Sequence, residues 1–164
     1  MSKRETREFI STYVTTNTIN KILDAGRLAG SARNKQPWDF ILINNKVALR
    51  NLAEFGKFTK PISNARFAVV IVIPNEYMQD RFDSGRAAQN MMLAAHSMGI
   101  GSCPITLHNE TGARKHLGIP EILEIQVALA FGYPIPLKTN QKVKRKHLDE
   151  VLHMESWGKT SQVL

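Results

Sequence analysis

Residues 67–73, F-A-V-V-I-V-I, constrain the fold of this chain more than any other stretch. An unbroken apolar run rich in β-branched side chains leaves no polar face for water, so it reads as a strand buried on both sides. Such a strand needs neighbours in its sheet and a layer of structure above and below it. The rest of the chain has to supply them.

Around this strand the pattern alternates between helix and strand. Residues 1–9 read as a basic helical turn, with Lys3, Arg4 and Arg7 at helical spacing and Phe9 as an anchor. Thr16 and Asn17 open a helix whose apolar stripe is Ile19, Ile22, Leu23 and Leu28, stopped at Gly30. Residues 40–43 form a short strand. A helix from Lys46 to about residue 55 turns Val47, Leu49, Leu52 and Ala53 inward. Beyond Pro74 and Asn75 a longer helix runs from Asp83 or Ser84 to Met98, rich in small, adaptable side chains such as Ala87, Ala88, Met91 and Met92. Gly99 ends it. Residues 100–107 are extended but contain Pro104, which places them at an edge or in an irregular strand. Asn109 caps a short helix to His116, and residues 125–131 alternate as a half-buried strand. Residues 148–152 are an apolar patch too short to fold alone, so the tail is expected to dock on something.

With 164 residues and no linker rich in Gly, Ser or Pro, one domain spanning 1–164 is expected. No apolar run approaches membrane-spanning length, and the first residues, M-S-K-R-E-T-R, lead into no signal-peptide hydrophobic region, which reads as a cytoplasmic protein. The net charge of +8 fits a nucleic acid, an anionic membrane, a phosphorylated small ligand or a solvated surface. Only 7% of residues are aromatic and the basic ones gather near the two ends, which argues against nucleic acid. No membrane partner is expected.

The usual catalytic constellations are missing. There is no G-x-S-x-G elbow, P-loop or G-x-G-x-x-G after a strand. Histidines 96, 108, 116, 147 and 153 lack metal-ligand spacing, His108 alone being considered for a place near a site, and the lone Cys103 reads as a packed small hydrophobe. A chain without its own acid, base or nucleophile does no chemistry or borrows a cofactor's. The most suggestive stretch is residues 30–40, G-S-A-R-N-K-Q-P-W-D-F. Its small residues allow close approach, Asn34 and Gln36 offer hydrogen bonds, and Trp38 offers an apolar wall. A capped helix end followed by a turn is the plainer reading of the same residues.

Taken together, the blocks R-x-x-R-x-F, A-G-R-L-A-G-S-A-R-N-K-Q-P-W-D-F and D-S-G-R-A-A-Q-N-M-M-L-A-A-H-S-M-G-I-G-S-C-P-I, then L-G-I-P, A-L-A-F-G-Y-P and K-R-K-H-L-D-E-V, occur in one order. This resembles the FMN-dependent nitroreductase family over nearly the whole chain. The resemblance implies an α+β fold, a central mainly antiparallel sheet flanked by helices, in an intertwined homodimer with FMN at each of two subunit-interface sites. It implies that Lys3, Arg4 and Arg7 hold the phosphate and ribityl chain, with Glu5 where a serine is usual. Gly30, Ser31, Ala32 and Asn34 would come from the partner subunit, Gly-Ser-Ala replacing the frequent Pro-Ser-Ser. Pro104, Ile105 and Thr106 would lay backbone groups along the flavin ring. Arg145, with Lys144 second, would return to the phosphate, and residues from about 138 to 164 would dock on the partner. The implied activity is ping-pong hydride transfer from NADH or NADPH to a nitroaromatic or quinone, with no side chain acting as acid or base. The short connection after Ile73 implies no inserted lid helix and a tolerant pocket. A non-catalytic protein that stores or senses FMN is the alternative, and relatives that fragment flavin or remove halogens share the fold.

Overall fold

The computed structural model describes residues 3–74, 76–136 and 144–160. In chain order the elements are helix α1 (Thr16–Arg27), strand β1 (Asp39–Ile43), helices α2 (Lys46–Ala53) and α3 (Lys60–Asn64), strand β2 (Phe67–Pro74), helix α4 (Met78–Ser97), strand β3 (Gly101–Ile105), helix α5 (Glu110–Leu117) and strand β4 (Leu123–Gly132). The strands form one antiparallel sheet in the order β1-β2-β4-β3. The fold is α+β, as expected.

β2 is central, and its side chains explain the apolar run. Phe67, Val69, Ile71 and Ile73 point to one face, where they meet Ile19, Ile22, Met91 and Ala95 of α1 and α4. Ala68, Val70 and Val72 point to the other, against Leu49, Leu52, Ile62 and Ala113 of α2, α3 and α5. Phe67 also stacks on Phe131 of β4, with ring centroids 4.8 Å apart. Period-two alternation thus feeds two separate cores from one strand.

Several expectations are corrected. Residues 3–9 are extended rather than helical: Thr6 N–H donates to the Ser102 carbonyl at 2.8 Å and Ile10 N–H to the Tyr133 carbonyl at 2.9 Å. The free edge of β3 takes backbone groups that a helical turn would have kept to itself. Gly101 and Gly132, paired across β3 and β4, make this possible, because a Cβ on either would stand 2.7 Å from Thr6 Cβ or 2.9 Å from Phe9 Cβ. α4 begins five residues before Asp83, at Met78. α3 was not foreseen. Val47 and Leu28 lie outside, at 62% and 66% exposure. β4 is half-buried only in its first half; residues 128–132 are buried, since β4 runs between β2 and β3. Pro104 sits on the edge strand as anticipated, and Asn109 caps α5 by accepting from Gly112 N–H at 3.1 Å.

No helix among the described residues is long and apolar enough to cross a membrane.

Candidate functional site

Two groups of expected site residues sit at different places along α4. The first surrounds the start of β3. Lys3, Arg4 and Thr6 of the extended N-terminal segment line a cleft of about 400 Å³ with His96, Gly101 and Ser102. Ser102 is 1% exposed, and its hydroxyl has no hydrogen-bond partner among the described residues. An unmet buried hydroxyl costs about 1–3 kcal/mol unless something pairs with it. Arg4 and Arg7 have no ion-pair partner among the described residues, and both line an adjoining cleft over residues 134–136. Lys3 differs: its ammonium lies 2.5 Å from Glu5 Oε1 and 3.7 Å from Met92 Sδ. Residues two apart in an extended chain share a face, so Glu5 covers one of the three cations.

Further along β3, Pro104 and Thr106 are exposed, whereas Ile105 is buried in the α2–α5 core. Only the main chain of Ile105 could meet a ligand. Cys103 is 4% exposed, and burial raises its thiol pKa above the ordinary 9.0, with the charge of Arg7 pulling the other way. That is the packed hydrophobe expected.

The second group is the loop after α1. Arg33, Asn34 and Gln36 all have left-handed backbone, with φ of 52°, 56° and 50°. For side chains other than Gly this conformation costs on the order of 1–2 kcal/mol each, least for Asn, and it gathers at functional sites. The surroundings hold it. Asp83 Oδ2 accepts Ala32 N–H at 2.7 Å, and Ser31 Oγ accepts Gln36 N–H at 2.9 Å. Lys35 Nζ reaches Asp80 at 3.0 Å and Glu76 at 3.1 Å. Its bond to Asp80 raises the lysine pKa above the ordinary 10.5. Asp80 and Asp83 are 2% and 3% exposed, and Arg86 pairs with Asp83 at 3.2 Å. A contact spanning 51 residues left no trace in local patterning. Asp80, Asp83 and Ser102 are therefore the site residues that the sequence reading missed; an acid three residues before an arginine in a helix was the only hint. Trp38, expected as a wall of the loop, is 9% exposed and packed in the α1–α4 core.

The two groups do not meet within one chain. Gly30 stands against Arg86 and Lys3 against Met92, six residues apart on α4, or about 9 Å along its axis. Lys144 and Arg145 are exposed, make no hydrogen bond or ion pair among the described residues, and line neither N-terminal cleft. Residues 138–143 and 161–164 of the expected docking tail lie outside the described residues.

Among proteins of known sequence, one from Archaeoglobus fulgidus, provisionally named an NADH dehydrogenase/NAD(P)H nitroreductase, is 30% identical over 95% of each chain. Among solved structures, a provisionally named nitroreductase of Desulfovibrio desulfuricans in complex with FMN is 27% identical, with a TM-score of 0.81 over 94% of this chain and 93% of that one. An FMN-dependent nitroreductase of Clostridium difficile is 25% identical, with a TM-score of 0.79 over 95% and 96%. The profile of the Nitroreductase family matches residues 1–67 and 63–133, and the chain belongs to that family.

Proposed function

We propose that the protein is an FMN-dependent NAD(P)H oxidoreductase acting on nitroaromatic, quinone or similar electron-poor acceptors. The observation that carries this reading is the buried Ser102 hydroxyl, unpartnered among the described residues, in a cleft lined by Arg4 and adjoined by one lined by Arg7, neither arginine having an ion-pair partner among those residues. These donors fit the phosphate and ribityl hydroxyls of a flavin mononucleotide in kind, since a forked guanidinium suits a dianion and a buried hydroxyl needs a polar partner. Membership of the family, and the complex of the Desulfovibrio desulfuricans relative with FMN, support the same assignment.

When bound, FMN supplies a ring that accepts a hydride from NADH or NADPH and passes it to the acceptor in a ping-pong sequence. The chain's own part is binding and orientation. Arg4 and Arg7 neutralise the phosphate, Ser102 pairs with an oxygen, and Lys3 joins them to the extent that Glu5 releases it. Arg145, with Lys144 as the second candidate, would hold the phosphate from the C-terminal segment. Pro104, Ile105 and Thr106 offer main chain and an apolar surface to the ring. No side chain has to carry a proton.

The loop bearing Gly30, Ser31, Ala32 and Asn34 serves a site on a second copy of the chain, because one chain holds it away from the basic cluster. The protein is thus a homodimer with two sites between its subunits, and the C-terminal segment docks across the pair.

Anaerobic stopped-flow mixing of the purified yellow protein with NADH and with NADPH tests the assignment. Bleaching, followed by recovery on adding a nitroaromatic or a quinone, is expected. A protein that binds FMN but bleaches with neither donor stores the flavin rather than using it. A colourless protein that takes up no FMN ends the proposal.

A further inference from the structure

On the opposite face of the sheet, away from α1 and α4, lies a second basic recess. A cleft of about 350 Å³ opens between the start of α2, the end of α3 and the N-terminal segment near Ser11. Lys46, Arg50 and Arg66 line it together with Ser11, Asn44 and Ser63, and no carboxylate among the described residues does. None of the three cations has an ion-pair partner among the described residues. Arg66 Nε is buried without a hydrogen-bond partner among the described residues, although its main-chain N–H is fixed to the Phe131 carbonyl at 2.8 Å.

These features oppose one another unless an anion is present. Lys46 and Arg50 stand four apart on one helix, where like charges repel. A buried guanidinium nitrogen without an acceptor costs more than a neutral donor would. The floor, Phe9 and Leu49, is buried and apolar, which strengthens any charge pairing above it. Two forked arginines, a flexible lysine, the Ser11 hydroxyl and the Asn44 amide match a tetrahedral dianion better than a flat carboxylate, whereas Ser63 Oγ already donates to the Lys60 carbonyl at 2.9 Å. No lining residue is shared with the cleft around Lys3 and Ser102.

We propose that this cleft binds a compact phosphate-bearing small molecule, such as a phosphomonoester, at a site separate from the flavin.

The test is backbone amide NMR of the FMN-saturated protein in a phosphate-free buffer, titrated with inorganic phosphate and with phenyl phosphate. Saturable shifts are expected at Ser11, Asn44, Lys46 and Ser63. Binding should weaken about tenfold in Arg50→Gln, the loss of one charge-assisted contact, and at least as much in Arg66→Gln. FMN content should not change in either variant. Arg50 is exposed, so its variant keeps the experiment readable if Arg66→Gln fails to fold. Tighter binding of phenyl phosphate than of inorganic phosphate assigns the site to an organic ester, and the reverse assigns it to the free ion. The proposal is overturned by a lack of saturation up to about 10 mM, well above a 1 mM dissociation constant. Equal shifts with chloride at matched ionic strength, or binding that both variants retain, overturn it as well. The readout is local to the cleft and does not depend on flavin uptake.

Discussion

Ser102 is a polar side chain in the buried part of an edge strand, and its hydroxyl is unpaired among the described residues. Replacing it with Ala should leave the melting temperature of the flavin-free protein unchanged or raise it, since the unmet group disappears. The same change should weaken FMN binding about fivefold to tenfold, the worth of one hydrogen bond. Calorimetry with and without flavin separates the two effects, and a destabilised flavin-free protein would mean that Ser102 is structural. Arg7→Ala should likewise lower flavin retention without lowering stability. Cys103, buried and with its thiol pKa raised, should resist iodoacetamide in the folded protein at neutral pH; mass spectrometry reads this directly. Because its folded pKa lies above the unfolded value, Cys103 subtracts from stability only as pH rises past 9.0. The basic residues and the small-residue loop were legible as residue types in the sequence. Their partners were not, because Asp83 and Ala32 are joined across 51 positions that no local pattern spans.

Among the elements, β2 and α5 could be read from sequence because their determinants are local: one unbroken β-branched run, and one Asn cap followed by a Gly stop. The N-terminal segment could not. Its basic residues fit helical spacing, and only the unpaired edge of β3, supplied by residues near position 102, draws it into an extended path. The early turns of α4 escaped notice because Tyr77, Met78 and Phe82 are exposed and break the inward pattern, while Asp80, a polar residue, is buried. Gly101→Val should displace the N-terminal segment, since its Cβ would stand 2.7 Å from Thr6 Cβ. The expected outcome is loss of flavin, with faster amide exchange at Thr6 and Ile10 and little change in the far-ultraviolet circular dichroism. The salt bridges of Lys35 hold the other loop. Its pKa is raised, so this contribution is complete below 10.5 and fades only as pH climbs through the higher folded value. Limited proteolysis within residues 31–36 should therefore stay constant through neutral pH and rise only in strong alkali.

For the molecule as a whole, the separation of the two residue groups along α4 makes a prediction about pairs of chains. Arg7→Ala and Asp83→Ala, each deficient in flavin binding alone, should complement when mixed and refolded together. Random pairing gives half mixed dimers, each with one undamaged site, so about a quarter of the native flavin content should return. A site assembled within one chain would recover none. A final consequence follows from residues 31–36. Their left-handed turns are already wound and tethered by acids that belong to the core of the monomer, so the mould is set when the chain folds. Capture of a ligand there should proceed in a single kinetic phase whose rate rises linearly with ligand concentration, without the plateau that a slow rearrangement would impose.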